Sequence, residues 1–598
     1  MFNPVKLNVI EQFREVISAF GGVNRQPITE DGEFFAMMNL TSDHFPVMSV
    51  RDKRHDYIAL MNPQGILSKE SLAWIDGASL YYNGDLVEGI TLSESADMLP
   101  KQMVSMGARL CVFPDAVYVN TEKLSDCGSL NASYAAPSET AVTYEMTTLS
   151  GAAIDPIVSA SAPEDAANGA YWLDVSGENH ALKQYSASAG MWTTVATVYV
   201  KISCPGIGAA FGDGDGVRIY GAKYNDPSNI DLTKQIDALN GSHIIKAKTD
   251  DSITVVGILD QTYTQTDTSE FRVERKVPDM DYVTECQNRL WGCKYGVVDG
   301  ETVNELYCCK LGDPKNWEVY NGIASDAWRA SVGTDGAWTG AVTYGNTPIF
   351  FKDDCMHKIY PSAEGAHQIV SASVRGASRG SWRSFSIVDE VLYYLSRDCV
   401  CAYDGSLPVS VSEKLGRLDC SNGVGGSWRG KYYLSCTDKS KKPHTYVYDP
   451  VKKMWHEESP HNAIAYAEHE GNLWYLDGTN NHLMSTDGNG GKAEGAVEWR
   501  AESGIQGFSY PDNKYLSRYD FRMDLAPGAT FNLAIEYDSN GKPIHYGTVR
   551  GNGKVRTYVI PVIPRRCDHL KLIMYGKGEC KLYSIARILE VGSDGNVY

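Results

Sequence analysis

Between residues 288 and 487 one arrangement of apolar and polar positions keeps returning. A strand with two or three aromatic or large apolar residues leads into an acidic tight turn, and a second apolar strand follows. The copies are NELYCCKLGDPKNW (304–317), DEVLYYLSRDCVCAYDGS (389–406), GKYYLSC (430–436) running on to TYVYDPVKKMW (445–455), and GNLWYLDGTNNHLMS (471–485). Gly tolerates positive φ, Asp bonds its own backbone and Pro fixes φ, so each copy predicts an antiparallel strand pair closed by an Asp-Gly or Asp-Pro turn. Repetition at roughly 35 to 45 residues with short strands predicts a radial repeat, the β-propeller, of about six to eight blades. The copies fit no WD, kelch or Asp-box consensus, although SVGTDGAWTG (331–340) has the outline of an Asp box.

The same rhythm runs upstream from Tyr57, through SLAWIDGASLYYNGDLVEGI (71–90) and KQMVSMGARLCVFPDAVYVNTEKL (101–124), with Asp76-Gly77 and Asn83-Gly84 at hairpin positions. Ahead of it, ITEDGEFFAMMNLTSDHFPVMSVRDKR (28–54) predicts an entry strand that carries Phe34, Phe35 and Met37 into the ring. The opening stretch 5–22 fits either a short amphipathic helix or a strand. At Ser125 the rhythm stops. Residues 125–175 are rich in Ala, Ser, Pro and Gly and read as a linker or excursion, and short strands with Gly-rich turns then run from Tyr171 to Val277, predicting a small barrel or sandwich. Blades resume at TECQNRLWGCKYGVVDG (284–300), so this module is inserted in the propeller. Gly-rich residues at 488–491 mark the next boundary, and clean alternation beyond it predicts a β-sandwich. The expected division is 1–124 for the N-terminal strand and first blades, 125–277 for the insert, 278–490 for the remaining blades and 491–598 for the sandwich.

Composition strengthens the all-β reading: the chain carries 36 Tyr and 56 Gly, and 598 residues exceed what one core organises. The formal net charge is −19 and no lysine or arginine run breaks it, which disfavours an embracing grip on a phosphate backbone. An acidic wall would instead let DNA pass without sticking. The fourteen cysteines are scattered through strands and read mostly as buried thiols. With an N-terminus that lacks the basic-then-apolar signal pattern, they predict synthesis in a reducing cytoplasm, and no apolar run is long enough to cross a bilayer.

Candidate chemistry is sparse. Asp313, Asp335, Asp353, Asp354, Asp404, Asp449 and Asp477 could serve a propeller hydrolase as acid and base or nucleophile at a central channel, but turn formation explains them more simply. In FGDGDGVRIYG (211–221) Asp213 and Asp215 could offer oxygens to calcium, yet no closing glutamate follows, and a turn before the strand is the plainer reading. His44, His55, His357 and His461 lack partners at zinc spacing, so no metal and no cofactor is assigned. There is no nucleophile elbow, phosphate loop or dinucleotide turn, and an enzyme is not expected. RDKR (51–54), KSKK (439–442) and Pro564-Arg565-Arg566 are either a solvated face or docking points for an acidic neighbour. Trp172, Tyr185 and Trp192 of the insert could stack on sugars or a partner; barrel core is the plainer reading.

Several stretches together resemble β-propeller virion proteins of tailed bacteriophages, of the tail hub or nozzle type. They are FGGVNRQPITEDGEFFAMMNLTSDHFPVMSVRDKR near the start, NRLWGCKYG after the insert, the run from Lys310 to Tyr360, and RRCDHLKLIMYGKGECKLYSIARILEVGSD at the end. The resemblance implies a structural protein of the virion tail, made in the host cytoplasm and assembled as a homo-oligomeric ring with the head-to-tail adaptor and other tail proteins. The ring would form part of the DNA-ejection conduit, passing viral DNA without binding it specifically. It brings no catalytic residues. Two other readings stand beside it: a tail-tip propeller that recognises a host glycan or protein through the insert, and a propeller glycoside hydrolase.

Overall fold

The computed structural model describes residues 11–27, 29–94, 101–226, 228–486, 491–507 and 513–591. Its ring consists of seven antiparallel sheets. The first blade is built from Pro63–Lys69, Ser71–Asp76, Ser79–Tyr82 and Asp85–Leu86. The second spans 102–129, and the third to sixth span 282–331, 340–373, 386–410 and 420–458. The seventh takes three strands from 463–485 and its fourth from the other end of the chain: His55–Ala59 pairs with His482–Ser485, and His482 Nδ1 lies 2.7 Å from Asp56 Oδ1. The first and last turns of the ring are thus joined by a strand ladder. Seven is within the range the repeat predicts.

The apolar runs follow from this geometry. The second strand of each blade is covered on both faces by its neighbours, so it reads as a continuous apolar stretch and not as an alternating one. Leu72–Ile75, Leu110–Phe113, Leu290–Cys293, Pro348–Phe351, Leu392–Leu395, Tyr432–Cys436 and Leu473–Leu476 are these strands, and nearly every side chain in them is buried. One apolar cluster fills each gap between adjacent blades; Leu80 with Leu110 joins the first pair, and Trp74 with Trp474 closes the ring.

Two expectations for the N-terminal stretch are corrected or decided here. Phe34–Met38 does not enter the ring. It pairs with Glu498–Ser503 of the C-terminal sandwich, burying Phe34 and Met37 there and leaving Phe35 45% exposed. The apolar run marked a half-buried strand but told neither which of two cores receives it nor that Phe35, adjacent to Phe34 on the pleat, faces the other way. The opening stretch forms a strand, Glu11–Ile17, along Cys580–Val591; its first residues lie outside the described ones, as do residues 488–490 of the Gly-rich boundary. One sheet of the sandwich orders Leu40–Thr41, Met48–Val50, Cys580–Val591, Lys514–Leu525 and Arg556–Pro561, and the other Phe34–Met38, Glu498–Ser503, Leu570–Lys577, Thr530–Tyr537 and Ile544–Arg550. Its core is continuous with the gap between blades five and six, through Leu395, Tyr432 and Trp455. Arg54 Nη2 to Glu458 at 2.7 Å and Arg25 Nη2 to Glu457 at 2.7 Å tie the entry segment to blade six.

The insert, between blades two and three, holds three small sheets and one helix that the sequence pattern did not predict, Ile230–Asp237, capped by the Asn229 side chain accepting from Leu232 N. It has a core of its own around Tyr144, Ile202, Val217, Ile253 and Val273. Its two ends are clasped: Val277 N donates to Asn131 Oδ1 at 2.7 Å. All fourteen cysteines are free thiols and twelve are buried. Among the described residues no helix is long and apolar enough to cross a membrane.

Candidate functional site

A cavity of about 390 Å³ lies on the ring axis, walled by the innermost strands through Ile66, Met103, Val283, Val342, Val424 and Tyr466. Arg383, in the connection into blade five, reaches across it. Its Nη1 donates to the Ile464 carbonyl of blade seven, and its Nη2 to the carbonyls of Gln64 in the first strand of blade one at 2.9 Å and of Lys101, just ahead of blade two, at 3.2 Å. The guanidinium also stacks on Trp382, with Cζ 4.7 Å from the ring centroid. No Asp or Glu lines the cavity among the described residues, and burial without a carboxylate lowers the Arg383 pKa to about 9. Lys101 contributes only its backbone; its ammonium turns outward to Asp115 at 2.6 Å. The axis is therefore bolted by a carbonyl-bound cation.

The turn aspartates stay in turns. Asp313, Asp404 and Asp477 each accept from the backbone N–H two residues on, Asp335 from Gly336 N, and Asp353 pairs with Arg379. Asp449 is buried and ties blade six to the entry segment, accepting from Ser42 Oγ at 2.6 Å. Asp213 is exposed on its loop while Asp215 is buried, so the two are not held together as the calcium reading requires. Asp215 is taken up by Arg275, by Gly212 N at 2.9 Å and by Asn316 Nδ2 at 3.2 Å, a junction between insert and blade three.

Trp172, Tyr185 and Trp192 do come together, on one face of the sheet 157–194. Trp192 sits 5.5 Å from Trp172 and 5.3 Å from Tyr185, and Lys183 Nζ lies 4.6 Å over the Trp172 ring while bonding Asp174 at 2.7 Å. Trp172 is buried and serves as the floor; Tyr185 and Trp192 are half-buried. Sequence reasoning missed the cluster of His180, Asp231 and Asp260, whose ligand atoms lie within 4.8 Å of one another, because the residues are far apart in the chain. His180 Nδ1 is 2.7 Å from Asp260 Oδ1, which also accepts from Gln235 Nε2 at 2.7 Å, so this cluster docks the helix onto the insert. The other missed feature is a groove of about 380 Å³ between the insert and blade three. Glu274, Asp279, Glu301, Glu305 and Glu318 line it with Arg218 and Arg329, and Tyr307 donates to Glu305 at 2.8 Å. Burial, then Glu305, pushes the Tyr307 phenol up.

No protein-family model matches the chain, and no curated protein does. Among solved structures it is similar to an exo-β-1,3-galactanase from Phanerochaete chrysosporium, at 10% identity over 51% of this chain and 94% of that one, TM-score 0.22. It is also similar to a glycoside hydrolase family 43 arabinoxylan arabinofuranohydrolase from Bacillus subtilis, at 10% identity over 51% and 94%, TM-score 0.17. A third is an acylaminoacyl peptidase from Pyrococcus horikoshii, at 10% identity over 50% of this chain and 47% of that one, TM-score 0.22. These neighbours correct the expectation that the chain is not an enzyme. Carboxylate chemistry needs only side chains converging in space, which no short motif announces, so the missing motifs do not exclude catalysis. At such identities and scores the likenesses assign no activity.

Proposed function

We propose that the chain is a structural subunit of a bacteriophage tail, of the hub or nozzle type, built into a ring beside the DNA-ejection conduit. One observation carries the reading beyond the sequence resemblance: the propeller axis is bolted by Arg383 with no carboxylate beside it, while the ring is closed by a strand ladder and braced by a sandwich sharing its core. A closed, doubly braced body suits load-bearing assembly and supports a conduit between subunits over one through the blades. The net charge of −19 suits passage of DNA without adhesion. The test is immunogold microscopy of particles released by lysis of the source culture, using antibody to this chain. Label in a ring-like position at the tail is expected; label confined to the soluble fraction, with no particle decorated, sinks the reading.

A second reading, a polysaccharide hydrolase, is favoured by the acidic groove, where Glu274, Glu305 and Glu318 approach one cleft. Cell-surface polysaccharide is the substrate class to assay. Activity abolished by Glu305→Gln with the fold intact would favour it, and no release of sugar by the folded chain would end it.

A further inference from the structure

Residues 540–566 contain Lys542, Arg550, Lys554, Arg556, Arg565 and Arg566 and no Asp or Glu, in a chain whose net charge is −19. The segment folds as two sheet edges lying side by side. Among the described residues Ile544–Arg550 pairs only with Thr530–Tyr537, and Arg556–Pro561 only with Lys514–Leu525, so there each ends its sheet with one row of backbone groups open. Among the described residues Lys542, Arg550, Lys554, Arg556 and Arg565 form no ion pair; Arg556 and Arg565 lie over the rings of Tyr558 and Tyr537. Between the cations stand exposed apolar side chains: Val555, Val559 at 56% and Ile563 at 76%. Charge and proline on an edge can serve merely to keep other strands away. Such a guard has no use for exposed Val559 and Ile563 on the same strand and its continuation.

We infer that this edge of the sandwich docks a second copy of the same chain. The facing surface that fits is the hairpin of blade three, Leu290–Val298 and Glu301–Cys308, where Val297 is 69% exposed and Asp299 and Glu301 flank the turn. Apolar residues set among cations meet an apolar residue with two carboxylates beside it at the hairpin tip. The two patches belong to different parts of the chain, so each copy can offer one to either neighbour, and a contact used that way is heterologous, repeats head to tail and closes a ring where the rotation allows. Nucleic acid would use the cations but not the valines or the open strand edge, which match a protein partner. The inference rests on the tail-subunit reading only for the expectation that the assembly is a closed ring.

The experiment uses the full chain in native mass spectrometry and light scattering. Salt is raised from about 0.05 M to about 1 M, across which screening contracts from more than 10 Å to about 3 Å. The wild-type chain is expected to associate at low salt and to disperse as salt rises. Arg556→Glu with Arg565→Glu should weaken association about tenfold or more, and Asp299→Arg with Glu301→Arg should do the same. The four changes together should restore it, which a variant that merely unfolds cannot do; melting temperatures of each variant confirm folding. A chain monomeric at both salts overturns the inference, as does association indifferent to both charge reversals, or a basic edge that captures duplex DNA while the chain stays monomeric. Decorated particles together with any of these results would leave the tail reading standing and remove only this interface; self-association with no particle decorated would do the opposite.

Discussion

Arg383 shows how much one side chain can decide. Its three carbonyl partners come from separate blades, and replacement by methionine leaves those acceptors facing an apolar side chain. Arg383→Met is expected to lower stability by about 2–4 kcal/mol, with a buried unsatisfied carbonyl costing roughly 1–3 kcal/mol, measured by denaturant unfolding. An unchanged midpoint would show that the guanidinium bears no load. Histidines shielded from water, with His357 and His456 buried and His367 half-buried, contribute to the response to acid. Burial, helped by Lys352 and Arg289, holds His357 and His367 down to about 4, and His456, buried near Lys431, to about 3. The unfolded forms take up protons near pH 6.5, so these groups favour the fold fully above that pH and progressively less as pH falls toward 4. The melting temperature should therefore drop between about pH 7 and about pH 5, with the unfolded chain binding more protons. His456 has neither ring nitrogen bonded. His456→Leu should keep or raise the melting temperature at neutral pH and flatten the acid decline; an unaltered decline would assign it elsewhere.

At the scale of elements, the joint between His55–Ala59 and His482–Ser485 holds the ring shut. Ile58 pairs with Leu483 there, and proline at that position removes a ladder donor and reshapes the strand. Ile58→Pro is expected to cost about 1–3 kcal/mol and to speed proteolysis of blade seven, read by pulse digestion; equal resistance would mean the ring is closed by packing alone. The elements legible in the sequence are those whose periodicity is local. Runs such as Leu392–Leu395 and Tyr432–Cys436 named the blades because burial on both faces leaves no polar alternation. The eight-residue helix at Ile230 was not legible, since two buried positions, Leu232 and Ile236, make too short a 3.6-residue pattern to stand out. Nor was the destination of Phe34 and Met37, because pairing with Glu498–Ser503 spans most of the chain. The site followed the same rule. Trp172, Tyr185 and Trp192 were legible because one small sheet gathers them, whereas Arg383 sits in SWRSFS, an unremarkable polar connection until seven blades place it on an axis.

At the scale of the whole molecule, ring and insert are joined in two ways of unequal weight. The chain leaves blade two and re-enters blade three at a clasp, Asn131 Oδ1 accepting from Val277 N, so the ring already holds the two ends together when the insert is in place. Among the described residues the insert's core shares no cluster with the blades. What it adds to blade three is a small polar junction: Asp215 and Gly216 N on Asn316, and Ser242 on Glu318. Closing a short flexible loop across ends already adjacent costs little, because loop entropy grows only with the logarithm of length. Replacing residues 132–276 by a short Gly-Ser linker is therefore expected to leave a folded ring and sandwich that melt cooperatively, with a midpoint a few degrees lower from the lost junction, as about 1 kcal/mol would produce in a large domain. Calorimetry checks this, since the intact chain should show a further transition that the shortened one lacks. Loss of all cooperative melting on excision would mean that Asn316 and its neighbours are held by the insert and that the ring is not self-supporting. In that event the insert would have to be counted as part of the propeller's own fold.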